Sequence, residues 1–328
     1  MLKIEHGQSV NHTVGVIGAR GYVGAEIIRL IVNHPRLILS FASSRRLAGK
    51  PIAGNVTEAN TDLRFINVQP AHLHQYPTAD VYILALPNCL TNEYVTAIEE
   101  PISRGALIID MSADHRFHDS WTYGLPELDS QNTLCATNRI ANPGCYATAA
   151  QLVIHPLLDR LATPPCAFGV SGYSGAGTTT SPKNDPDHLR ENLIPYKMTD
   201  HLHEREISHH LNQAVRFAPH VASFFRGISM TVMMILTNPV SFDDLVSIYE
   251  SAYEHSPFIQ LTGSTIPLVR DNAEKHHACI GGLTVSKIDP RQITVVSTLD
   301  NLLKGAASQA VQNVNLALGL DEREGLAP

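Results

Sequence analysis

The stretch Gly18-Ala19-Arg20-Gly21-Tyr22-Val23-Gly24 joins an apolar run, Val14–Ile17, to an amphipathic pattern, Tyr22–Val32. The run predicts a buried strand and the pattern predicts a helix. In a nucleotide-binding turn, the three glycines permit, in chain order, a tight turn, the approach of a pyrophosphate and close helix–strand packing. Because the spacing is G-x-x-G-x-x-G rather than G-x-G-x-x-G, a glycine-rich turn that holds no ligand stays open as an alternative.

The residues that follow continue the alternation of short apolar runs and helical patterns. Strands are predicted at Leu37–Ala42, Val81–Leu86 and Ala106–Asp110, and a helix at Thr91–Arg104. Such alternation is typical of a doubly wound parallel sheet. We therefore predict that residues 1–144 form a Rossmann-type α/β domain.

The pattern changes after Cys145. A helix is predicted from Ala149 to Leu161 and loop-rich sequence from Ser171 to Asp187, with strands at Cys166–Val170, Gly227–Thr237, Cys279–Ile288 and Gln292–Leu299. Strands with few intervening helices indicate a mixed or antiparallel sheet. We predict an α+β domain over residues 145–300, followed by a helix at Asn301–Leu318.

Composition limits the classes of function. The chain has 328 residues, enough for two domains, and a net charge of −7, which offers no basic stripe for nucleic acid. The longest apolar run, Ile228–Leu236, is too short to span a bilayer, and Met1–Asn11 has no apolar core typical of a signal peptide. The five cysteines include no CxxC pair, which favours reduced thiols and a cytoplasmic setting.

The end of the second predicted strand indicates which dinucleotide would bind. A protein that reads a 2′-hydroxyl places Asp or Glu there, whereas this strand ends in Ser43, Ser44, Arg45 and Arg46. Arginine binds phosphate in bidentate fashion, so these residues favour a 2′-phosphate and hence NADP over NAD. A solvated basic turn is the alternative.

The stretch Asn142-Pro143-Gly144-Cys145-Tyr146-Ala147-Thr148 places a cysteine between a turn and a helix-like run. Backbone N–H groups and the helix dipole at such a position favour thiolate over thiol. A nucleophile needs this placement and a structural residue does not, although an ordinary buried cysteine remains the alternative.

A nucleotide-binding fold with a nucleophilic thiolate indicates oxidoreduction through a thioester. The thiolate attacks an activated carbonyl and expels phosphate, hydride from nicotinamide reduces the thioester, and the thiohemiacetal collapses to an aldehyde. The proton donor is expected in His201-Leu202-His203-Glu204-Arg205-Glu206, where Glu206 could orient a histidine. Two surface histidines are the alternative, and no second cluster completes a metal site.

Two further features suit an anionic substrate or cofactor. The loop Ser171–Gly177 exposes N–H groups and hydroxyls to an anion. Ser112–Arg116, which follows a predicted strand, and Arg226, which precedes one, supply cations at strand ends.

Motifs along nearly the whole chain resemble the N-acetyl-gamma-glutamyl-phosphate reductase family of the aspartate-semialdehyde dehydrogenase superfamily. They are GARGYVGAE (Gly18–Glu26), SSRRLAGK (Ser43–Lys50), MSADHR (Met111–Arg116), YGLPE (Tyr123–Glu127), NPGCYATAAQL (Asn142–Leu152), SGYSGAG (Ser171–Gly177), HLHEREI (His201–Ile207), FRGI (Phe225–Ile228) and DNLLKGAASQAVQN (Asp300–Asn313). The resemblance implies NADPH-dependent reductive dephosphorylation of N-acetyl-L-glutamyl 5-phosphate to the semialdehyde, a step of arginine biosynthesis.

The resemblance also implies roles for individual residues. Catalysis would use Cys145 as nucleophile, His201 or His203 as acid–base group, and Glu206. The NADP site would comprise Gly18, Arg20, Gly21, Tyr22, Val23, Gly24, Ser43, Arg45, Arg46, Pro87, Ser174, Gly175 and Asn301. The substrate, a small acyl phosphate, would meet Ser112, Asp114, Arg116, Asn142 and Arg226. Residues 301–328 would rejoin the nucleotide domain, and the protein would be a homo-oligomer, a dimer or a tetramer.

The chain departs from the family pattern at a few positions. Leu202 and Arg205 replace the Arg and Pro of the family's HRHxPE motif, Asn88-Cys89 replaces a loop that often has Gly and His, and Tyr173 lies in a loop often written SGVSGAG. These changes leave the cysteine chemistry intact and bear on the substrate pocket, including the acyl group that it accepts.

Three other functions fit less well. A carrier-protein-linked aminoadipyl-phosphate reductase of lysine biosynthesis would need a basic docking surface, to which a net charge of −7 is poorly suited. Aspartate-semialdehyde dehydrogenase matches the motifs less well. A non-catalytic dinucleotide-sensing module would leave Cys145 and the histidine pair without a role.

Overall fold

A computed structural model describes residues 10–99, 105–129 and 132–326. The segment Met1–Asn11, for which the sequence predicts no signal peptide, lies almost wholly outside the described residues, as do positions 100–104 of the helix predicted at Thr91–Arg104. Within the described ranges, no helix is long and apolar enough to cross a membrane.

The first domain is a parallel sheet with helices. Its elements are β1 (His12–Ile17), α1 (Tyr22–Val32), β2 (Leu37–Ser43), β3 (Val81–Leu84), α2 (Asn92–Glu99), β4 (Leu107–Asp110), β5 (Thr122–Tyr123) and β6 (Arg139–Ala141). The described strands form a six-stranded sheet in the order β2-β1-β3-β4-β6-β5, and every neighbouring pair is parallel. The predicted doubly wound α/β architecture is confirmed.

The second domain is built on a mixed sheet. Its elements are α3 (Cys145–Ile154), β7 (Cys166–Gly172), α4 (Pro186–Leu189), β8 (Leu193–Pro195), α5 (Leu202–His210), β9 (Arg216–Ala222), β10 (Ile228–Ile235), α6 (Phe242–Tyr253), β11 (Ile259–Leu261), α7 (Val269–Asn272), β12 (Ala278–Val285) and β13 (Gln292–Leu299). The described strands form a seven-stranded sheet in the order β11-β12-β13-β10-β7-β9-β8. Parallel β7–β9 and β11–β12 pairs lie among antiparallel ones, which confirms the mixed sheet.

The helix behind the cysteine differs from the prediction. It begins at Cys145 rather than Ala149, and a 3₁₀ segment replaces the α-helix over His155–Arg160. Pro156 is responsible, because its ring cannot donate the hydrogen bond that would continue the α-helix. Cys145 is thus the first residue of the helix itself.

The end of the described chain returns to the first domain. A π-helical turn, Leu303–Ala307, leads into α8 (Ser308–Ala317). Buried side chains of this segment share one apolar core with Val14 of β1 and Ile83 of β3, and they are Leu303, Ala307, Ala310, Val311 and Val314. The core of the parallel sheet is therefore completed by residues far along the chain.

Candidate active site

A cleft of about 1300 Å³ is lined by residues of both sheets' domains. All thirteen residues that the sequence assigned to a nucleotide line it: Gly18, Arg20, Gly21, Tyr22, Val23, Gly24, Ser43, Arg45, Arg46, Pro87, Ser174, Gly175 and Asn301. Cys145, His203 and Arg116 line the same cleft. The predicted cofactor residues and the predicted nucleophile thus meet in one space.

Each of the three glycines in the first turn is explained by a different feature of the structure. Gly18 has φ of +91°, and a Cβ there would collide with the carbonyl of Ala85. A Cβ at Gly24 would lie 2.9 Å from the Cα of Ala19. Gly21 is the N-cap of α1, and a Cβ at that position would have no neighbouring atom within 4 Å. The protein thus leaves open, at a helix N-terminus, the space that a phosphate would occupy.

The end of β2 offers charge that the protein does not neutralise. Arg45 and Arg46 are exposed, and within the described ranges neither makes an ion pair. The hydroxyl of Ser43 is buried and accepts a hydrogen bond from the N–H of Val68 over 3.0 Å. This edge of the cleft therefore fits a phosphate monoester better than a neutral ribose hydroxyl.

Cys145 lies at the N-terminus of α3, directly after the N-cap Gly144. Burial raises the pKa of its thiol to about 11, although the N–H of Tyr146 and the charge of Arg116 act in the opposite direction. The helix N-terminus acts in the predicted direction and favours the thiolate, but desolvation outweighs it. The nucleophile rests as a neutral thiol and needs a base.

Glu206 is fully buried and binds three partners beside the nucleophile. Its Oε1 accepts from the N–H of Gly144 and from the hydroxyl of Tyr123, each over 2.8 Å. Its Oε2 lies 3.0 Å from Nη1 of Arg116. Burial favours the neutral acid, but the charge of Arg116 and these hydrogen bonds lower the pKa of Glu206. The carboxylate is therefore ionised and fixes the turn that precedes Cys145.

The sequence predicts that Glu206 orients a histidine, and the structure shows how the two are related. No hydrogen bond joins Glu206 to His201 or His203 within the described part of the chain. Its charge nevertheless acts to raise the pKa of His203. Glu206 thus influences the histidine electrostatically and acts on the cysteine loop by direct contact.

The two histidines have different positions. His201 is the N-cap of α5, and its Nδ1 accepts a hydrogen bond from the N–H of His203 over 3.1 Å. His203 lies in the first turn, lines the cleft, and has its Nε2 against the Cα of Gly144, where a Cβ would collide with it. Burial lowers the pKa of His203 to about 3 and that of His201 to about 4. Both rings are neutral near pH 7, and of the two only His203 lines the cleft that Cys145 also lines.

Four of the five residues assigned to the substrate do not line the cleft. Ser112 donates to Asp110, Asp114 accepts from the N–H of Cys89 and the hydroxyl of Thr91, and Asn142 bonds Ala306 and Asn313. Arg226 pairs with Glu26 and Asp300, each over 2.7 Å, beside a second cavity of about 510 Å³. These residues hold the walls in place, and Arg116 alone of the five reaches the cleft.

Two family models match the chain. The semialdehyde dehydrogenase NAD binding domain matches residues 13–135, and the semialdehyde dehydrogenase dimerisation domain matches residues 145–301. An N-acetyl-gamma-glutamyl-phosphate reductase of Xanthomonas euvesicatoria pv. vesicatoria is 50% identical over 94% of this chain and 96% of its own length. One of Xylella fastidiosa is also 50% identical, over 94% of this chain and 92% of its own length.

The chain belongs to the N-acetyl-gamma-glutamyl-phosphate reductase family. Among solved structures, aspartate semialdehyde dehydrogenase II of Vibrio cholerae has a TM-score of 0.77 at 19% identity, covering 95% of this chain and 99% of its own. Aspartate semialdehyde dehydrogenase of Candida albicans, solved with NADP, has a TM-score of 0.70 at 14% identity, covering 93% and 98%. These likenesses show that this chain has the fold of the semialdehyde dehydrogenases.

The structure also shows residues of this reductase's cleft that were not predicted from the sequence. Gly305, in the π-helical turn, packs against the nucleophile, since a Cβ there would lie 2.7 Å from the Cβ of Cys145. Leu302 and Ala306 line the cleft beside it. The run Gly305-Ala306-Ala307 of small residues was the available signal, because close approach of backbones requires them.

Proposed function

We propose that this protein uses NADPH to reduce N-acetyl-gamma-glutamyl phosphate to the semialdehyde with release of phosphate, a step toward arginine. The observation that carries the proposal is that Cys145 and His203 line the same cleft as the glycine-rich turn. That arrangement supplies a nucleophile and a base beside the position where a nicotinamide would lie. NADPH supplies the hydride when it is bound.

His203 takes the thiol proton as the sulfur of Cys145 attacks the acyl carbon. The carbon–oxygen bond to phosphate breaks and a thioester to Cys145 forms. His203 is neutral near pH 7 and can accept that proton, but the burial that lowers its pKa to about 3 also makes the ring a weaker base. The phosphate dianion of the substrate raises the pKa of the imidazole, since a nearby negative charge favours the protonated ring.

Arg116 and His203 are the two groups that would balance the charge that develops in the reaction. Arg116 lines the cleft, and its guanidinium is held by Glu206 and the carbonyls of Asn142 and Met111. A fixed cation costs no reorganisation when phosphate leaves. After hydride transfer, protonated His203 returns its proton as the thiohemiacetal collapses to aldehyde and thiol.

The preference for NADPH rests on Arg45 and Arg46. Replacing both with alanine should weaken NADPH binding by about 10- to 100-fold and leave NADH binding unchanged, because each guanidinium–phosphate contact is a charge-assisted hydrogen bond. Fluorescence titration of both cofactors measures this. Equal losses for NADH and NADPH would show that the arginines do not read the 2′-phosphate.

The reaction is tested in the reverse direction with N-acetyl-glutamate semialdehyde, phosphate and NADP. We expect NADPH to form only when phosphate is present and to be lost in Cys145→Ser, while that variant still binds NADPH. Cys279→Ser is the matched control, since Cys279 is buried in the second domain away from the cleft. Full activity of Cys145→Ser would overturn the proposed mechanism.

The same proposal includes self-association and a reducing compartment. The outer face of the mixed sheet exposes Met233 and Ile235 on β10, and the dimerisation-domain model covers this sheet. Light scattering should report an oligomer that Met233→Lys weakens.

The cysteines are all free, which supports a cytoplasmic location.

A further inference from the structure

Lys183 provides a second positive charge near the histidine pair, in addition to that of Arg116. Lys183 is at the end of the loop that leaves the cleft through Thr178 and Thr179. Asn184 fixes this loop, because its Nδ2 donates to the carbonyls of Gly177 and Thr179, each over 2.8 Å. The position of the lysine is therefore set by the same loop that lines the cofactor cleft.

Aromatic rings connect Lys183 to the catalytic residues. Its Nζ lies 4.6 Å from the centre of the Tyr196 ring, in a cation–π arrangement. The centre of that ring is 5.6 Å from the centre of the His201 ring, which in turn is 5.1 Å from His203. Burial raises the pKa of Tyr196 to about 12. The Tyr196 ring thus lies between Lys183 and His201, the N-cap of the helix that carries His203.

The positive charge at this place is not neutralised by the protein. Neither Lys183 nor Lys197 forms an ion pair with any described residue, whereas buried Lys304 pairs with Glu127 over 2.6 Å. After burial, the charges of Lys197 and Lys183 are the largest influences that lower the pKa of His201. Lys183 is half-buried, so its charge faces less screening by water than that of a fully exposed lysine.

We propose that Lys183 binds the α-carboxylate of the substrate, the anionic group farthest from the reacting carbonyl. The inference rests on the proposed function. The substrate carries two anionic groups, and the phosphate is bonded to the carbon that Cys145 attacks, where Arg116 lies. Three carbons separate that carbon from the carboxylate, so the carboxylate needs a cation away from the sulfur. Lys183, which the Tyr196 ring separates from His201, is a cation of this region that forms no ion pair with the described residues.

The test compares the semialdehyde with an analogue in which a carboxamide replaces the carboxylate. For Lys183→Met we expect KM for the semialdehyde to rise about 10- to 100-fold, the loss typical of a charge-assisted hydrogen bond, with kcat within about threefold of the parent. KM for phosphate and for NADP should not change. The parent should prefer the carboxylate substrate, and Lys183→Met should lose that preference. Lys183→Arg should retain it.

The controls separate this inference from the function on which it rests. Lys287→Met removes an exposed lysine from the β12–β13 turn and should leave every KM unchanged. A rise in KM for phosphate, or equal losses with the carboxamide, would overturn the assignment of Lys183 to the carboxylate. Absence of phosphate-dependent NADPH formation by the parent protein would instead refute the proposed function, before any variant is compared.

Discussion

The carboxylate of Glu206 accepts a hydrogen bond of 2.8 Å from the backbone N–H of Gly144, the residue before Cys145. An acid on α5 thereby fixes the turn that carries the nucleophile on α3. The same carboxylate holds Arg116, so the nucleophile, the cation and the histidine helix share one buried centre. Loss of the Glu206 carboxylate therefore removes a contact of the cysteine turn and a contact of Arg116 together.

Replacing Glu206 with glutamine should destabilise the protein and slow catalysis. Glutamine can still accept from Gly144, but it leaves the guanidinium of Arg116 buried without a counter-charge, which costs about 3–5 kcal/mol. Chemical denaturation measures the free energy of unfolding. Glu99→Gln, which breaks the more exposed pair with Arg139, should cost less than about 1 kcal/mol. Equal effects of the two substitutions would show that the Glu206 centre is not structural.

His203 and His201 should differ sharply when they are replaced. His203→Gln should lower kcat by about 10²- to 10⁴-fold, the usual contribution of an acid–base group. His201→Asn should lower it less than about tenfold, since asparagine can still cap α5 by accepting from the N–H of His203. Steady-state kinetics with saturating NADPH tests both. The reverse order of losses would assign proton transfer to His201.

The protein should lose stability as pH falls from about 6.5 toward 4. His203 and His201 have folded-state pKa values of about 3 and 4, below the usual 6.5. Between those values the unfolded chain binds more protons than the folded protein, so stability is present above pH 6.5 and is lost as pH falls. Urea midpoints at pH 7.5, 6 and 5 measure the slope. His203→Gln should reduce it, and an unchanged slope would show that His203 does not contribute.

Substitutions at two glycines of the first turn should distinguish a loss of cofactor binding from a loss of stability. Gly21→Ala should leave the melting temperature nearly unchanged and weaken NADPH binding, because the added methyl enters only the space left for phosphate. Gly18→Ala should lower the melting temperature as well, since φ is +91° and the methyl meets Ala85. Calorimetry and cofactor titration distinguish the two. Unchanged NADPH affinity in Gly21→Ala would place the pyrophosphate elsewhere.

The first helix could be predicted from the sequence, whereas α6 and the alternating strand β9 were not predicted. The predicted helix Tyr22–Val32 has the bounds found in the structure, because an apolar stripe follows a glycine-rich turn. β5 and β8 were missed because two or three residues carry no recognisable period. The sequence also could not place the start of α3, since a Pro-Gly turn is compatible with a helix that begins at once or later.

The residues of the candidate site could be predicted from the sequence, but their pKa values and ion pairs could not. Motifs indicated Cys145 and the histidine pair, but only the fold shows that His201 caps α5 while His203 faces the cleft. The direction of the Cys145 pKa depends on burial, which is a property of packing between distant segments. Arg226 was predicted to bind substrate because it lies at a strand end. Its ion pairs with Glu26 and Asp300 could not be predicted, since these carboxylates lie far from it in the sequence.

Leu303 and the apolar residues of α8 fill the core around β1 and β3. During translation the strands of that sheet leave the ribosome long before these residues are made, and domains generally begin to fold as they emerge. The nascent first domain must therefore keep an open apolar groove while the whole second domain is synthesised. A ribosome that stalls before Leu303 leaves a chain with that groove exposed, a natural target for chaperones and proteases.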